Sequence, residues 1–168
     1  MKLEFKKISQ FKRGILFELL TDAYSFDIQC QQHWAKDWQE FDDFFFDHLV
    51  IADSCGFITT VDGEPIGFVS WDPRNKPKSV IVGHNCIKTK YKGNGFGKYQ
   101  LQEAIRRIRQ LNAEKIAVTT NSLLVPAWRM YESVGFKLDQ SRFNGSKDQF
   151  AGDYLDYTLV ITSFANEQ

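Results

Sequence analysis

The chain has 168 residues, 43% of them hydrophobic, and its 21 Lys and Arg balance 21 Asp and Glu. That is apolar material for one ordinary domain, expected to span residues 1–168, and the balanced charge leaves no global field to draw nucleic acid or a membrane surface. No run approaches the roughly 20 apolar residues of a membrane span, the start MKLEFKKISQF lacks a signal-like apolar core, and Cys30, Cys55 and Cys86 fit neither a disulfide framework nor a zinc-ligand spacing.

A cytoplasmic location, free thiols and no metal site are therefore expected. Along the chain, residues 2–8 alternate Leu3, Phe5 and Ile8 with charged neighbours as a short edge strand does, and an apolar helical stretch follows over residues 11–24. Over residues 31–49, Trp34, Trp38, Phe41, Phe45 and Leu49 recur at steps of three or four and share one helix face. Such a face packs a core or, with Phe26, Phe44 and Phe46, walls an acceptor pocket, and the spacing does not separate the two. His33 and His48 in this region have no partner at a recognised spacing and read as surface or packing residues. Residues 56–61 and 66–71 flank Asp62-Gly63-Glu64-Pro65 in a hairpin pattern, with Glu64 solvated on the turn.

Residues 72–78 read as loop and residues 79–88 as a strand in which Gly83 marks a bulge. Leu101, Ala104, Ile105, Ile108 and Leu111 then define a long amphipathic helix whose outer face carries Arg106, Arg107 and Arg109. A strand at 115–120 precedes a short helix with Pro126 in its first turn, running through Tyr131 and ending near Gly135. Strands at 136–138 and 154–161 close a mixed α/β domain around a polar loop, 141–153, expected to be mobile.

The most informative stretch is Lys92-Gly93-Asn94-Gly95-Phe96-Gly97-Lys98, between a strand and the long helix. Backbone N–H groups at a helix start lack intrahelical partners, the helix dipole adds partial positive charge, and glycines let a diphosphate approach the main chain. Lys92 and Lys98 are expected to strengthen this, since a cation near a helix N-terminus is unfavourable unless an anion sits beside it. The third glycine comes too early for a dinucleotide fingerprint, and the spacing of a P-loop is absent, which argues against NAD, FAD, ATP and GTP.

These residues resemble the hallmark of the GCN5-related N-acetyltransferase (GNAT) superfamily: Arg or Gln, two residues, Gly, one residue, then Gly or Ala, following a strand. A second resemblance is Pro126-Ala127-Trp128-Arg129-Met130-Tyr131-Glu132-Ser133-Val134-Gly135-Phe136, similar to the family's short helix that carries a Tyr and ends in Gly-Phe. The resemblance implies the acyl-CoA N-acyltransferase fold, a mostly antiparallel mixed sheet of about seven strands flanked by about four helices. It implies acetyl-CoA as co-substrate, with backbone around Cys86, Ile87 and Lys88 pairing with pantetheine and the amides of Gly93 to Lys98 holding the pyrophosphate. It also implies that Tyr131 protonates the departing CoA thiolate. Two positions depart from the pattern. Lys92 stands where Arg or Gln is usual, and Leu124 stands where an Asn is common, leaving Asn121 as a candidate CoA contact.

An aliphatic amine must lose a proton before attack, at a cost of about 4.6 kcal/mol at pH 7. The strand before the glycine turn carries no carboxylate, so His84 is the candidate base. Simple alternation sets it on the face opposite Gly83 and Asn85, unless a bulge at Gly83 reverses the register. A structural His84, or Asn85 holding a water, are the alternatives. The expected acceptor is a primary amine on a small molecule. A protein N-terminus or Lys, and a module that binds acyl-CoA without turnover, are the competing readings. A homodimer is compatible with the sequence.

Overall fold

The computed structural model describes residues 1–145 and 152–161. Seven strands, β1 (Leu3–Lys6), β2 (Gly56–Val61), β3 (Glu64–Asp72), β4 (Ser79–Ile87), β5 (Lys115–Asn121), β6 (Lys137–Arg142) and β7 (Tyr154–Val160), form one sheet ordered β1-β2-β3-β4-β5-β7-β6. Neighbours are antiparallel except β4 and β5, which run parallel across the α4 crossover. The helices are α1 (Ile15–Ala23), α2 (Ile28–Asp47), α3 (Leu49–Ser54), α4 (Phe96–Ile108) and α5 (Val125–Ser133). The mixed α/β architecture is as expected, with five helices where about four were anticipated.

The boundaries move for identifiable reasons. The first strand stops at Lys6, because a 3-10 turn at Ile8–Gln10 swings Ile8 fully into the core. The first helix begins at Ile15 instead of residue 11. Its N-terminus is organised by Asp42 of α2, a wholly buried carboxylate that accepts the N–H groups of Gly14 (2.8 Å), Leu16 (2.9 Å) and Phe17 (3.3 Å). This carboxylate satisfies orphan donors and complements the helix dipole. The second helix starts early, at Ile28, where Asp27 accepts the Gln29 N–H at 2.9 Å, and it stops at Asp47, so Leu49 opens a separate helix. On α2, Trp38 and Phe45 are buried and Phe41 packs on Phe68, whereas Phe44, and Phe26 ahead of the helix, are exposed. The aromatic stripe is mainly core.

The expected hairpin joins β2 to β3, and the expected bulge lies in β4. Register steps from Val69↔Asn85 to Trp71↔Val82, so β4 carries one residue more than β3, and the His84 N–H donates to Ser70 Oγ at 3.1 Å. The extra residue turns His84 to the face opposite Val82. There it meets Phe41 of α2, with ring centroids 4.5 Å apart. Helices α4 and α5 share the other face: a Cβ on Gly97 would lie 3.1 Å from Met130 Sδ, and the Arg107 guanidinium stacks 4.3 Å over the Phe57 ring. Gly67 is required by crowding, since a Cβ there would come 2.2 Å from the Cys86 carbonyl oxygen across the ladder. The parallel pairing of β4 with β5 ends at Val82↔Val118, and the strands diverge beyond it. β6 extends to Arg142, further than expected; residues 146–151 of the expected mobile loop lie outside the described residues.

Candidate active site

Beyond Val82↔Val118 no pairing joins β4 to β5, and the gap between the two strand ends is termed the cleft, with three elements around it. At one end, Gly93 (φ 79°) and Gly95 (φ 81°) hold left-handed conformations, and Gly95 is the N-cap of α4. The first intrahelical bond there runs from the Tyr99 N–H to the Gly95 carbonyl at 3.2 Å, leaving the amides of Phe96, Gly97 and Lys98 without helical partners. No heavy atom lies within 4 Å of where a Gly93 Cβ would stand, and above Gly95 the nearest is Tyr99 Cε2 at 3.9 Å. Open space over a helix N-terminus suits a phosphate group. Asn94 braces the turn by donating from Nδ2 to the Tyr91 and Lys92 carbonyls, 3.3 Å each.

Lys92 does something other than expected. Its Nζ donates to the Ala23 carbonyl at the end of α1 at 2.5 Å and lies 5.0 Å from the centre of the Phe26 ring. In the structure the ammonium caps the negative end of α1. Around it, Thr89 donates to Asp22 from both N (2.8 Å) and Oγ1 (2.9 Å), tying the last turn of α1 to the segment before the glycines. Glu64 is likewise engaged, accepting from the Tyr91 hydroxyl at 2.5 Å with Lys88 Nζ at 3.6 Å.

Along the β4 edge, the expectation for Lys88 is corrected. Its N–H is spent on the Ile66 carbonyl at 2.7 Å and its carbonyl accepts from Tyr91 at 2.9 Å. Antiparallel alternation then turns the backbone groups of Asn85 and Ile87 away from β3 and toward the cleft. Cys86 is buried, and burial pushes its thiol up to about 12, so it packs rather than reacts.

Tyr131, on α5, is buried against Phe136 and Tyr157. Burial raises its pKa, and the Asn85 amide beside it acts in the opposite sense. Asn85 is held by Gln100, which is completely buried in α4. Gln100 Nε2 donates to the Phe68 carbonyl (2.9 Å), Asn85 Oδ1 (2.8 Å) and the Cys86 carbonyl (3.2 Å), while its Oε1 accepts from Thr59 Oγ1 at 2.7 Å. Tyr24, at the end of α1, is close enough to Cys86 and Tyr131 to sense their charge, and burial raises its pKa.

His84 lies across the sheet from Asn85 and is half-buried under Phe41. Burial lowers its pKa to about 4, a shift that nearby Asp37 partly opposes. The ring is thus neutral near pH 7 and a weak proton acceptor. Asn121, at the end of β5, has both ends of its amide committed: Nδ2 donates to the Gly152 carbonyl at 3.2 Å and Oδ1 accepts the Leu123 N–H at 2.9 Å. Those bonds shape the turn before α5. Sequence reasoning passed over Gln100 and Tyr24. Gln100 is a polar residue next to the apolar stripe of α4, and that misplacement was the available signal.

Known proteins share this fold and part of this sequence. A curated N-alpha-acetyltransferase of Sulfurisphaera tokodaii is 29% identical over 56% of this chain, and the match spans 63% of that relative's length. An acetyltransferase structure from Salmonella typhimurium with its cofactor acetyl-CoA superposes with a TM-score of 0.76 at 14% identity, covering 99% of this chain and 97% of that one. The ribosomal-protein-S18-alanine N-acetyltransferase of Escherichia coli gives 0.71 at 14% identity, with the same coverages. The sequence model of the Acetyltransferase (GNAT) family matches residues 15–136. The chain belongs to the Acetyltransferase (GNAT) family.

Proposed function

We propose that the protein transfers an acetyl group from acetyl-CoA to a primary amine by direct attack. The observation that carries this reading is the cleft beyond Val82↔Val118, with an open helix N-terminus at one end and a buried phenol on α5 beside it. Amides of Phe96, Gly97 and Lys98 hold the pyrophosphate, assisted by the open approach over Gly93 and Gly95. The outward backbone of Asn85 and Ile87 takes the pantetheine arm as an added strand, with Cys86 packing behind it.

The amine nitrogen attacks the thioester carbonyl carbon, the C–S bond breaks, and the thiolate takes the Tyr131 proton. A His of pKa about 4 is a poor match for an ammonium near 10.4. His84 therefore orients the amine as a neutral acceptor, and water carries the proton away. Asn121 is assigned to the turn and Lys92 to the α1 terminus. The free thiols Cys30, Cys55 and Cys86 are in keeping with the cytoplasmic site of action proposed here; no described helix is long and apolar enough to cross a membrane.

The test is thiol release from acetyl-CoA across a panel of small amines and short peptides, in wild type and Tyr131→Phe. Acceptor-dependent release that falls about 100-fold in the variant supports the reading. Tight acetyl-CoA binding without release for any acceptor would instead identify a non-catalytic binding module. A protein N-terminus is the second acceptor reading. It is favoured by the Sulfurisphaera relative's name and by the commitment of Trp38 and Phe45 to the core, which removes much of the aromatic wall a small-molecule pocket needs.

A further inference from the structure

Four buried side-chain polar atoms lack a hydrogen-bond partner among the described residues: Thr21 Oγ1, Thr60 Oγ1, Trp71 Nε1 and Asn85 Nδ2. Asn85 Nδ2 is the one that adjoins Tyr131, and its orientation is fixed by its neighbours. Gln100 must place its nitrogen against the Phe68 and Cys86 carbonyls, because these only accept, and its oxygen against the Thr59 hydroxyl. The same nitrogen is 2.8 Å from Asn85 Oδ1. Turning the Asn85 amide over would set two donors against each other, so Nδ2 is held on the Tyr131 side, in a contact that falls short of a formed hydrogen bond.

A donor held there has a use. An ordinary phenol near pKa 10 gives its proton to a thiolate near 8.5 against an equilibrium of about 30-fold, and burial of Tyr131 steepens that gradient by disfavouring the phenolate. A fixed N–H aimed at the phenol oxygen offsets it, because it binds the charged oxygen more strongly than the neutral one.

We propose that Asn85 is a positioning residue for Tyr131: locked by Gln100, its free N–H donates to the phenol oxygen as Tyr131 passes its proton to the departing thiolate. This rests on the acetyltransferase reading for its chemistry. The N–C bond forms, the C–S bond breaks, the thiolate takes the phenolic proton, the attacking nitrogen sheds its surplus proton to water as it becomes the neutral amide, and the phenolate held by Asn85 regains a proton from that water. The role differs from Asn85 holding a water for amine deprotonation, because here the Asn85 N–H acts on the phenol oxygen and not on the amine.

The experiment places 3-fluorotyrosine at position 131, which brings the phenol's ionisation into a range the fold tolerates and reports it by 19F NMR. Asn85→Ala and the smaller perturbation Asn85→Ser are expected to raise the midpoint by about one unit, a tenfold shift, consistent with loss of a hydrogen bond to a charged group. A merely structural Asn85 would leave it where it is. An unchanged midpoint in folded Asn85→Ser overturns the proposal. Calorimetric titration of the same samples with acetyl-CoA separates the two readings: failed binding refutes the acetyltransferase function, while the midpoint alone decides the role of Asn85.

Discussion

Replacing Gln100 with Leu removes the polar link between α4 and the sheet while keeping a similar volume. Gln100 makes four polar contacts from a fully buried position. The Thr59 hydroxyl, itself buried, then loses its acceptor at a cost of about 1–3 kcal/mol, and the Asn85 amide loses its anchor. The Phe68 and Cys86 carbonyls keep ladder bonds through their second lone pairs, so each adds little. Against this, burying Leu returns roughly 1 kcal/mol. The net loss is about 2 kcal/mol, which for a chain of this size is a fall in Tm of about 4–8 °C. Urea denaturation read by Trp fluorescence measures it, with a lower midpoint at unchanged slope. A loss under about 0.5 kcal/mol would refute the reasoning, because the network would then carry no net stabilisation.

Three further outcomes follow from the same geometry. His84 has a folded pKa of about 4 against 6.5 when unfolded, so the unfolded chain binds more protons between these values. Stability is therefore full above pH 6.5 and declines as pH falls toward 4, by up to about 3 kcal/mol, and His84→Phe should flatten that decline in denaturation series at pH 7, 5.5 and 4.5. Lys92→Met should cost about 1 kcal/mol of stability through loss of the Ala23 cap yet leave acetyl-CoA affinity within about threefold; a tenfold loss by calorimetry would return Lys92 to the phosphate site. Gly67→Ala must push β3 from β4, because its Cβ would sit 2.2 Å from the Cys86 oxygen, and should cost about 3 kcal/mol or more in denaturant unfolding.

What the residues revealed in advance depended on how local the physics was. The glycine turn was legible because Gly93 and Gly95 occupy positive φ, where other side chains are strained, and because a strong helical period follows. The bulge was legible from Gly83, and the hairpin from its turn residues. The start of α1 was hidden, since the residue that sets it, Asp42, lies on another helix. Helix α3, with six residues, is too short to show a period. Lys92 reads as a free cation beside the glycines, and only packing reveals that the end of α1 takes it. Gln100 shows the same limit in part: its place beside the apolar stripe of α4 is visible in the sequence, but its partners on the sheet follow from the approach of α4, which no local pattern encodes.

The central claim is that the cradle before α4 holds acetyl-CoA, and calorimetry on Gly95→Trp tests it most directly. Gly63→Trp is the control, since Gly63 also has a positive φ of 84° with nothing within 4 Å but sits on the β2–β3 turn and not in the turn before α4. The account predicts micromolar acetyl-CoA binding by wild type and Gly63→Trp, and its loss in a Gly95→Trp protein that retains the wild-type circular dichroism. Equal binding by a folded Gly95→Trp, or none by wild type, would contradict it.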